Sequence, residues 1–216
     1  MDTTILQNLN ALLVTNPTNI RYLTGFVGVS PEERESYVLL TQKFLYLFTS
    51  ALYLELAKQL SNSQIIPASP AGGQLSNIPI RIIEISRENP LSKELANVLR
   101  EGKIKRLGFE EVDLTVAEYR KLKQTLKNVT LVPTQNRIEE MRIIKREDEI
   151  ANIRQAAKIT DECFDWIIGK IKPGVTEAEI AWEIESFFRK QGTQNAFSPI
   201  VAFGMHTSQP HYSPAF

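Results

Sequence analysis

Short apolar runs alternate with amphipathic segments over roughly the first 135 residues of the chain. The runs are five to seven residues long and rich in Val, Ile, Leu and aromatic residues, as buried β-strands are. They occupy residues 11–15, 37–41, 44–50, 64–69, 81–86, 104–110 and 129–134. Between them, apolar residues recur every three or four positions at 52–60, 90–102 and 115–126, the spacing of helices with one buried face. The alternation predicts an α/β domain in which helices cover a central sheet.

The connection between two of these runs predicts how their strands pair. Only Gln42 and Lys43 separate the apolar run that ends at Thr41 from the one that begins at Phe44. Such a short polar connection is typical of a β-hairpin, whose strands are antiparallel. We therefore expect a mixed sheet rather than a purely parallel one.

The pattern changes at residues 133–149, where strand-like runs cease and charged residues crowd together. Pro133 followed by polar residues is typical of a connection between domains. We therefore predict a first domain at 1–135, a linker at 136–146 and the beginning of a second domain at 147–216.

The second domain is predicted to contain two helices and one strand. The first helix carries an apolar stripe with helical spacing, formed by Ile153, Ala157, Thr160, Phe164, Ile167 and Ile171. The second begins at Thr176, which precedes Glu179 by three residues as in a capping box. Residues 197–204, FSPIVAFG, have the composition of a strand. A lone strand has no ladder partner and cannot cover two helix stripes, so we expect an incomplete domain.

Composition narrows the classes of partner. The 216 residues include 25 Lys plus Arg and 25 Asp plus Glu, and the cations form no stripe interleaved with aromatic residues. This disfavours nucleic acid and anionic membranes as partners. No apolar run approaches the roughly 18 residues of a membrane span, and the N-terminus lacks a cationic leader. Cys163 is the single cysteine. We expect a cytoplasmic protein without a membrane partner.

Both histidines of the chain, His206 and His211, fall in the segment IVAFGMHTSQPHYSP at 200–214. A metal site requires three or four converging His, Cys, Asp or Glu ligands, and no acidic residue follows Glu185. We therefore expect no metal site built from this chain alone. His211 follows Pro210 in a loop that could present its imidazole to a carbonyl or a proton. An idle surface histidine is the alternative.

Other candidate sites have weaker support. Gly25 and Gly28 lack the spacing of a phosphate-binding or dinucleotide-binding loop and predict a turn. Glu110, Glu111 and Asp113 follow a strand, where neighbouring carboxylates usually face water instead of forming an acid–base pair. Cys163 lies beside the helix stripe and is interpreted as a small core residue.

Five segments, taken together and in order, resemble the Xaa-Pro aminopeptidase and prolidase family. They are NIRYLTGF (19–26), RLGFEEVDLTVAEYRKL (106–122), RIIKREDEIANIRQAAKITDE (142–162), PGVTEAEIA (173–181) and FSPIVAFGMHTSQPHYSP (197–214). The resemblance implies a three-layer creatinase-like N-terminal domain with a mixed sheet, followed by the first two helices and first strand of an α+β pita-bread domain. It implies a homodimeric, metal-dependent exopeptidase that hydrolyses the bond before proline in peptides, either an aminopeptidase or a dipeptidase.

The resemblance assigns roles to two residues. His211 matches the histidine of the family's Pro-His-Tyr stretch, which lies beside the metal centre and hydrogen-bonds the substrate or the developing tetrahedral intermediate. Phe197 matches an aromatic position that lines the substrate pocket. His206 and Phe203 stand where the family often has Asn and a small residue, and no catalytic role is implied for them.

The family's metal ligands are two Asp, one His and two Glu, which hold two divalent ions (Mn, Co or Zn). They lie downstream of the Pro-His-Tyr stretch, at positions that this sequence does not include. We therefore expect the 216-residue chain by itself to bind none of these ions and to be inactive. Two other functions stay open. One is a non-catalytic pita-bread module for binding or assembly, and the other is a creatinase-type amidinohydrolase, which shares the two-domain plan without the metal.

Overall fold

The computed structural model describes residues 5–28, 34–61 and 78–213. The polypeptide divides into two compact units, Met1–Lys145 and Arg146–Phe216. None of the helices in the described ranges is long and apolar enough to cross a bilayer. The apolar run predicted as a strand at 64–69 lies outside the described residues.

The first unit alternates strands and helices as the sequence predicts. Its elements among the described residues are β1 (Ala11–Val14), α1 (Pro17–Thr24), β2 (Ser36–Thr41), β3 (Leu45–Ser50), α2 (Leu54–Ser61), β4 (Ile80–Ile85), α3 (Leu91–Glu101), β5 (Arg106–Glu110), α4 (Val116–Thr125), β6 (Thr130–Thr134) and α5 (Arg137–Ile143). A 3-10 turn at Ala51–Tyr53 leads into α2. The three predicted helices and six of the seven predicted strands are confirmed.

The sheet is mixed, with the strand order β4-β3-β2-β1-β5-β6. Strand β2 is antiparallel to both β1 and β3, and the β2–β3 pair is the predicted hairpin. The pairs β3–β4, β1–β5 and β5–β6 are parallel. At the outer strand β6, Pro133 lies opposite Phe109. The amide of Thr130 donates to the carbonyl oxygen of Lys105 in the direction of β5.

Both faces of the sheet are buried because successive side chains of a strand point to opposite sides. Leu12 and Val14 of β1 belong to one apolar cluster, together with side chains from α1, α2 and α5. Ala11 and Leu13 belong to a second cluster, together with side chains from α3 and α4. Each fully buried leucine contributes about 1.5–3 kcal/mol. These two cores give the first unit the three layers that were expected.

Residues predicted as a linker include an ordered helix. The sequence interpretation placed 136–146 between the domains, whereas residues 137–143 form α5. Ile138 is completely buried in the core of the first unit. Seven residues make less than two helical turns, which are too few for apolar spacing to identify a helix in the sequence.

The second unit contains α6 (Glu147–Ile168), α7 (Glu177–Lys190) and a 3-10 turn at Gly204–Ser208. The capping box at the start of α7 is confirmed. The hydroxyl oxygen of Thr176 accepts from the Glu179 amide at 3.3 Å, and the Glu179 carboxylate accepts from the Thr176 amide at 2.8 Å. The core of this unit is formed by Ile167, Ile180 and Val201, with partly buried neighbours.

Helix α6 buries a different stripe from the predicted one. Phe164 and Ile153 of the predicted stripe are 64% and 54% exposed, whereas Ile159 and Cys163 are buried. The helix carries apolar residues on two faces, and sequence spacing alone does not select the face that α7 covers. Of the predicted stripe only Ile167 is buried, so the prediction is wrong for its other members, and the interpretation of Cys163 as a core residue is confirmed.

The strand predicted at 197–204 does not form in the described structure. Val201 is buried against the helices. No strand of the described part of this unit offers a ladder partner, and an extended segment without one is not a β-strand.

Candidate functional site

One carboxylate, that of Glu177 in the first turn of α7, contacts the segment that carries both histidines. Its Oε1 atom accepts from the Phe203 amide at 2.8 Å and lies 2.7 Å from Nδ1 of His206. Its Oε2 atom accepts from the hydroxyl of Tyr212 at 3.4 Å. The Glu177 side chain is 16% exposed. A single acidic group therefore connects the beginning, middle and end of the segment 203–212.

The electrostatics of this cluster follow from its hydrogen bonds. The Phe203 amide, and after it the His206 side chain, lower the pKa of Glu177. Because the carboxylate is ionised at neutral pH and only accepts, the adjacent Nδ1 of His206 carries a proton, a tautomer assigned from this geometry. Desolvation, and then the charge of Glu177, raise the pKa of Tyr212. The imidazole of His206 also stacks on the Tyr212 ring, with centroids 4.4 Å apart.

The two residues predicted to meet the substrate lie on the surface of the second unit. His211 is exposed, and its backbone has φ +59°, in the left-handed region that non-glycine residues seldom adopt. A turn fixes this part of the chain, because the Tyr212 amide donates to the Gln209 carbonyl oxygen at 3.3 Å. Phe197 is 78% exposed. The roles of His211 and Phe197 in binding and catalysis stay predictions.

The prediction that the acidic cluster after β5 faces water is wrong for Glu110. This residue is only 8% exposed. Its Oε2 atom accepts from the amides of Thr15 at 2.6 Å and Asn16 at 2.8 Å, and its Oε1 atom accepts from Nδ2 of Asn19 at 2.6 Å. Strand β5 pairs with β1, so its last residue faces the free amides at the start of α1. Burial raises the pKa of Glu110, and the hydrogen bonds oppose this shift.

The buried Asn19 extends this network to α5. Its Nδ2 atom also donates to Glu139 at 2.7 Å, and its Oδ1 atom accepts from Arg142 at 2.9 Å. The amide of this side chain is thus satisfied on both of its ends by charged groups. The network therefore joins α1, β5 and α5 within the first unit.

The described residues do not fit a metal centre. Among them, no group of three or more His, Cys, Asp or Glu side chains is placed to hold a metal ion. We assign no metal chemistry to these residues.

Sequence reasoning missed the contact between Glu177 and His206. The capping-box spacing draws attention to Glu179, and an acid at the start of a helix is usually interpreted as a favourable charge near the helix dipole. Glu177 lies 29 positions before His206, and nothing in the sequence indicates that they meet.

Two protein-family models match the chain, one over the unit with the mixed sheet and one over the helical unit with the Pro-His-Tyr loop. A model described as the creatinase/prolidase N-terminal domain matches residues 6–144. A model described as metallopeptidase family M24 matches residues 151–215. The chain belongs to the creatinase/prolidase family.

Individual relatives agree with this assignment. A Bacillus subtilis protein described as the uncharacterized peptidase YqhT is 32% identical over 205 residues, which are 94% of this chain and 51% of that protein. The solved Xaa-Pro dipeptidase from Bacillus anthracis is 30% identical with a TM-score of 0.78, covering 97% of this chain and 52% of that one. The solved prolidase from Pyrococcus horikoshii OT3 is 27% identical with a TM-score of 0.73, covering 97% and 54%. The chain spans about half the length of these relatives.

Proposed function

We propose that this chain is the N-terminal part of a metal-dependent exopeptidase, an Xaa-Pro dipeptidase or aminopeptidase, that hydrolyses the peptide bond before proline. The supporting observation is the 30% identity with the Xaa-Pro dipeptidase from Bacillus anthracis over 97% of this chain. The order of the two matched family models, first the prolidase N-terminal domain and then family M24, is consistent with it. The substrate is a proline-containing peptide.

In this proposal His211 and Phe197 contact the substrate. The exposed imidazole of His211 can donate a hydrogen bond to the carbonyl oxygen of the peptide bond that is cleaved. This hydrogen bond becomes stronger as negative charge develops on the oxygen. The exposed ring of Phe197 offers an apolar surface against which a proline ring packs. Two divalent ions (Mn, Co or Zn) supply Lewis-acid chemistry in the complete enzyme. Because the described residues contain no ligand cluster, we expect the 216-residue chain alone to be inactive.

A chimeric enzyme tests the proposal. This chain replaces the matched 52% of the Bacillus anthracis dipeptidase, and the product is assayed with Mn²⁺ against Xaa-Pro dipeptides, longer Xaa-Pro peptides and creatine. We expect hydrolysis of an Xaa-Pro bond. His211→Ala is expected to lower kcat/KM about 100-fold or more, since a positioned imidazole contributes at least that factor. The matched control is Ser213→Ala, an exposed position two residues away.

Two results would count against the proposal. A folded chimera that cleaves creatine and no Xaa-Pro bond would favour the amidinohydrolase reading. Equal kcat/KM for the His211→Ala and Ser213→Ala chimeras would remove His211 from the substrate site.

A further inference from the structure

We propose that Glu177 is a positioning residue for His211: its carboxylate fixes the segment 203–212 in the one conformation that presents the His211 imidazole to a peptide. The proposal rests on the proposed function, because His211 must contact substrate for its position to matter. Glu177 itself does not reach the reacting atoms in this scheme.

The contacts of Glu177 are distributed along the whole segment 203–212. Glu177 binds Phe203 before the 3-10 turn, His206 within it and Tyr212 after it. Hydrogen bonds to an ionised acceptor are roughly twice as strong as neutral ones, so these contacts add to the local hydrogen bonds of the 3-10 turn and connect the segment to α7. In the described part of the second unit, the segment has no β-ladder that could order it instead.

The backbone conformation of His211 requires support from its surroundings. A non-glycine residue in the left-handed region persists only where its surroundings determine the conformation. His211 has φ +59° and immediately precedes Tyr212. The ring of Tyr212 is held by Glu177 and by stacking on His206 at 4.4 Å. The anchored tyrosine therefore sets the backbone of the residue before it.

The role proposed for Glu177 differs from ordinary helix capping. Glu179 lies in the same first turn of α7, and its carboxylate closes the capping box with Thr176. The carboxylate of Glu177 instead accepts hydrogen bonds from residues 26 to 35 positions later in the chain. Glu179 stabilises the helix, whereas Glu177 connects the helix to the loop. Glu179→Gln is thus a matched control for Glu177→Ala.

The test uses NMR of the 216-residue chain labelled with ¹⁵N. Only two imidazoles are present, so His206→Asn and His211→Asn variants assign both signals. In the wild type we expect the Nδ1–H tautomer for His206 and an ordered His211 backbone. In Glu177→Ala we expect the His206 signal to shift toward the Nε2–H tautomer. We also expect the Phe203 amide to exchange at least about tenfold faster and the ¹H–¹⁵N NOE of His211 to fall to the level of a mobile chain.

Two further variants distinguish the role of Glu177 from a general disturbance of α7. Glu179→Gln should leave the His206 tautomer and the His211 NOE unchanged. If Glu177→Ala disrupts α7, His206→Phe provides the second test, because it keeps an aromatic ring to stack on Tyr212 and removes the nitrogen that contacts Glu177. In His206→Phe we expect a modest loss of order at His211. An unchanged His211 in a folded Glu177→Ala protein would overturn the proposal, and so would an equal loss of order in Glu179→Gln.

The chimera separates this proposal from the proposed function. Within it, Glu177→Ala should lower kcat about tenfold with little change in KM, and Glu177→Gln should partly restore kcat. Mobile His211 in Glu177→Ala together with a chimera that cleaves no Xaa-Pro bond would reject the peptidase and keep the anchor. Rigid His211 in Glu177→Ala with an active chimera would reject the anchor and keep the peptidase.

Discussion

Replacing Glu110 by Gln changes the buried network at the start of α1 by one atom. The new side chain has nearly the same shape, and its single oxygen can take the place of Oε2 and accept from the Thr15 and Asn16 amides. Its NH₂ group then stands where Oε1 now accepts from Nδ2 of Asn19 at 2.6 Å. Two donors therefore face each other. Asn19 has no favourable alternative orientation, because its Oδ1 atom accepts from Arg142.

The expected cost follows from this geometry. One buried donor without an acceptor costs about 1–3 kcal/mol. The two bonds that remain lose their charge assistance, which halves their strength. Removing the buried charge offsets part of the loss, because the raised pKa of Glu110 shows that burial disfavours the ionised form. The net destabilisation is expected to be about 2 kcal/mol.

Hydrogen exchange at single amides measures this cost where it arises. A loss of about 2 kcal/mol corresponds to a roughly 30-fold rise in exchange of the Thr15 and Asn16 amides, when exchange is limited by opening. Glu111→Gln is the matched control, since Glu111 is the exposed neighbour and is expected to change stability by no more than about 0.5 kcal/mol. Indistinguishable exchange in the Glu110→Gln and Glu111→Gln proteins would refute the network's energetic role.

The structure yields four more predictions. Because the pKa of Glu110 is raised in the folded chain, its contribution to the free energy of unfolding is complete below the ordinary value of 4.5 and decreases as the pH rises through the higher folded value. Over that pH window the denaturant midpoint of the wild type should fall more steeply than that of Glu110→Gln. Gly108→Ala should cost about 1–3 kcal/mol in urea unfolding, because a Cβ atom would lie 2.5 Å from Leu9, whereas Gly169→Ala, with its nearest atom at 3.6 Å, should be tolerated. Burial, which also raises the pKa of the Cys163 thiol, should make its reaction with a thiol reagent slow until denaturant is added; rapid labelling of the native chain would contradict the burial. Elemental analysis of the purified chain at neutral pH should find well below about one equivalent of manganese or zinc, and one equivalent or more would contradict this prediction.

The sequence predicts the first unit well because its local patterns and its packing agree. Six strands, the β2–β3 hairpin and three helices follow from apolar spacing alone. The capping box at Thr176 is equally local, since its two partners are three residues apart.

Apart from the short helices α1 and α5, which apolar spacing did not predict, the failures concern contacts between distant residues. Glu110 meets Thr15 across 95 positions, so its burial depends on the β1–β5 pairing and not on its neighbours in sequence. The orientation of α6 depends on the face that α7 covers. The contact between Glu177 and His206 joins residues 29 positions apart and has no local sequence signal. Each of these features depends on which elements pack together, and the spacing of apolar and polar residues in one sequence does not specify that packing.

Pro133 has a consequence for the behaviour of the sheet in concentrated solution. Successive backbone amides of a strand point to opposite sides. The Thr130 amide points toward β5, so the backbone nitrogen of residue 133, three positions later, points away from β5. At Pro133 no amide hydrogen is available there. Among the described strands none pairs with the outer side of β6, and there Pro133 lacks a donor that an intruding strand from another molecule would need, which disfavours the edge-to-edge stacking from which fibrils grow.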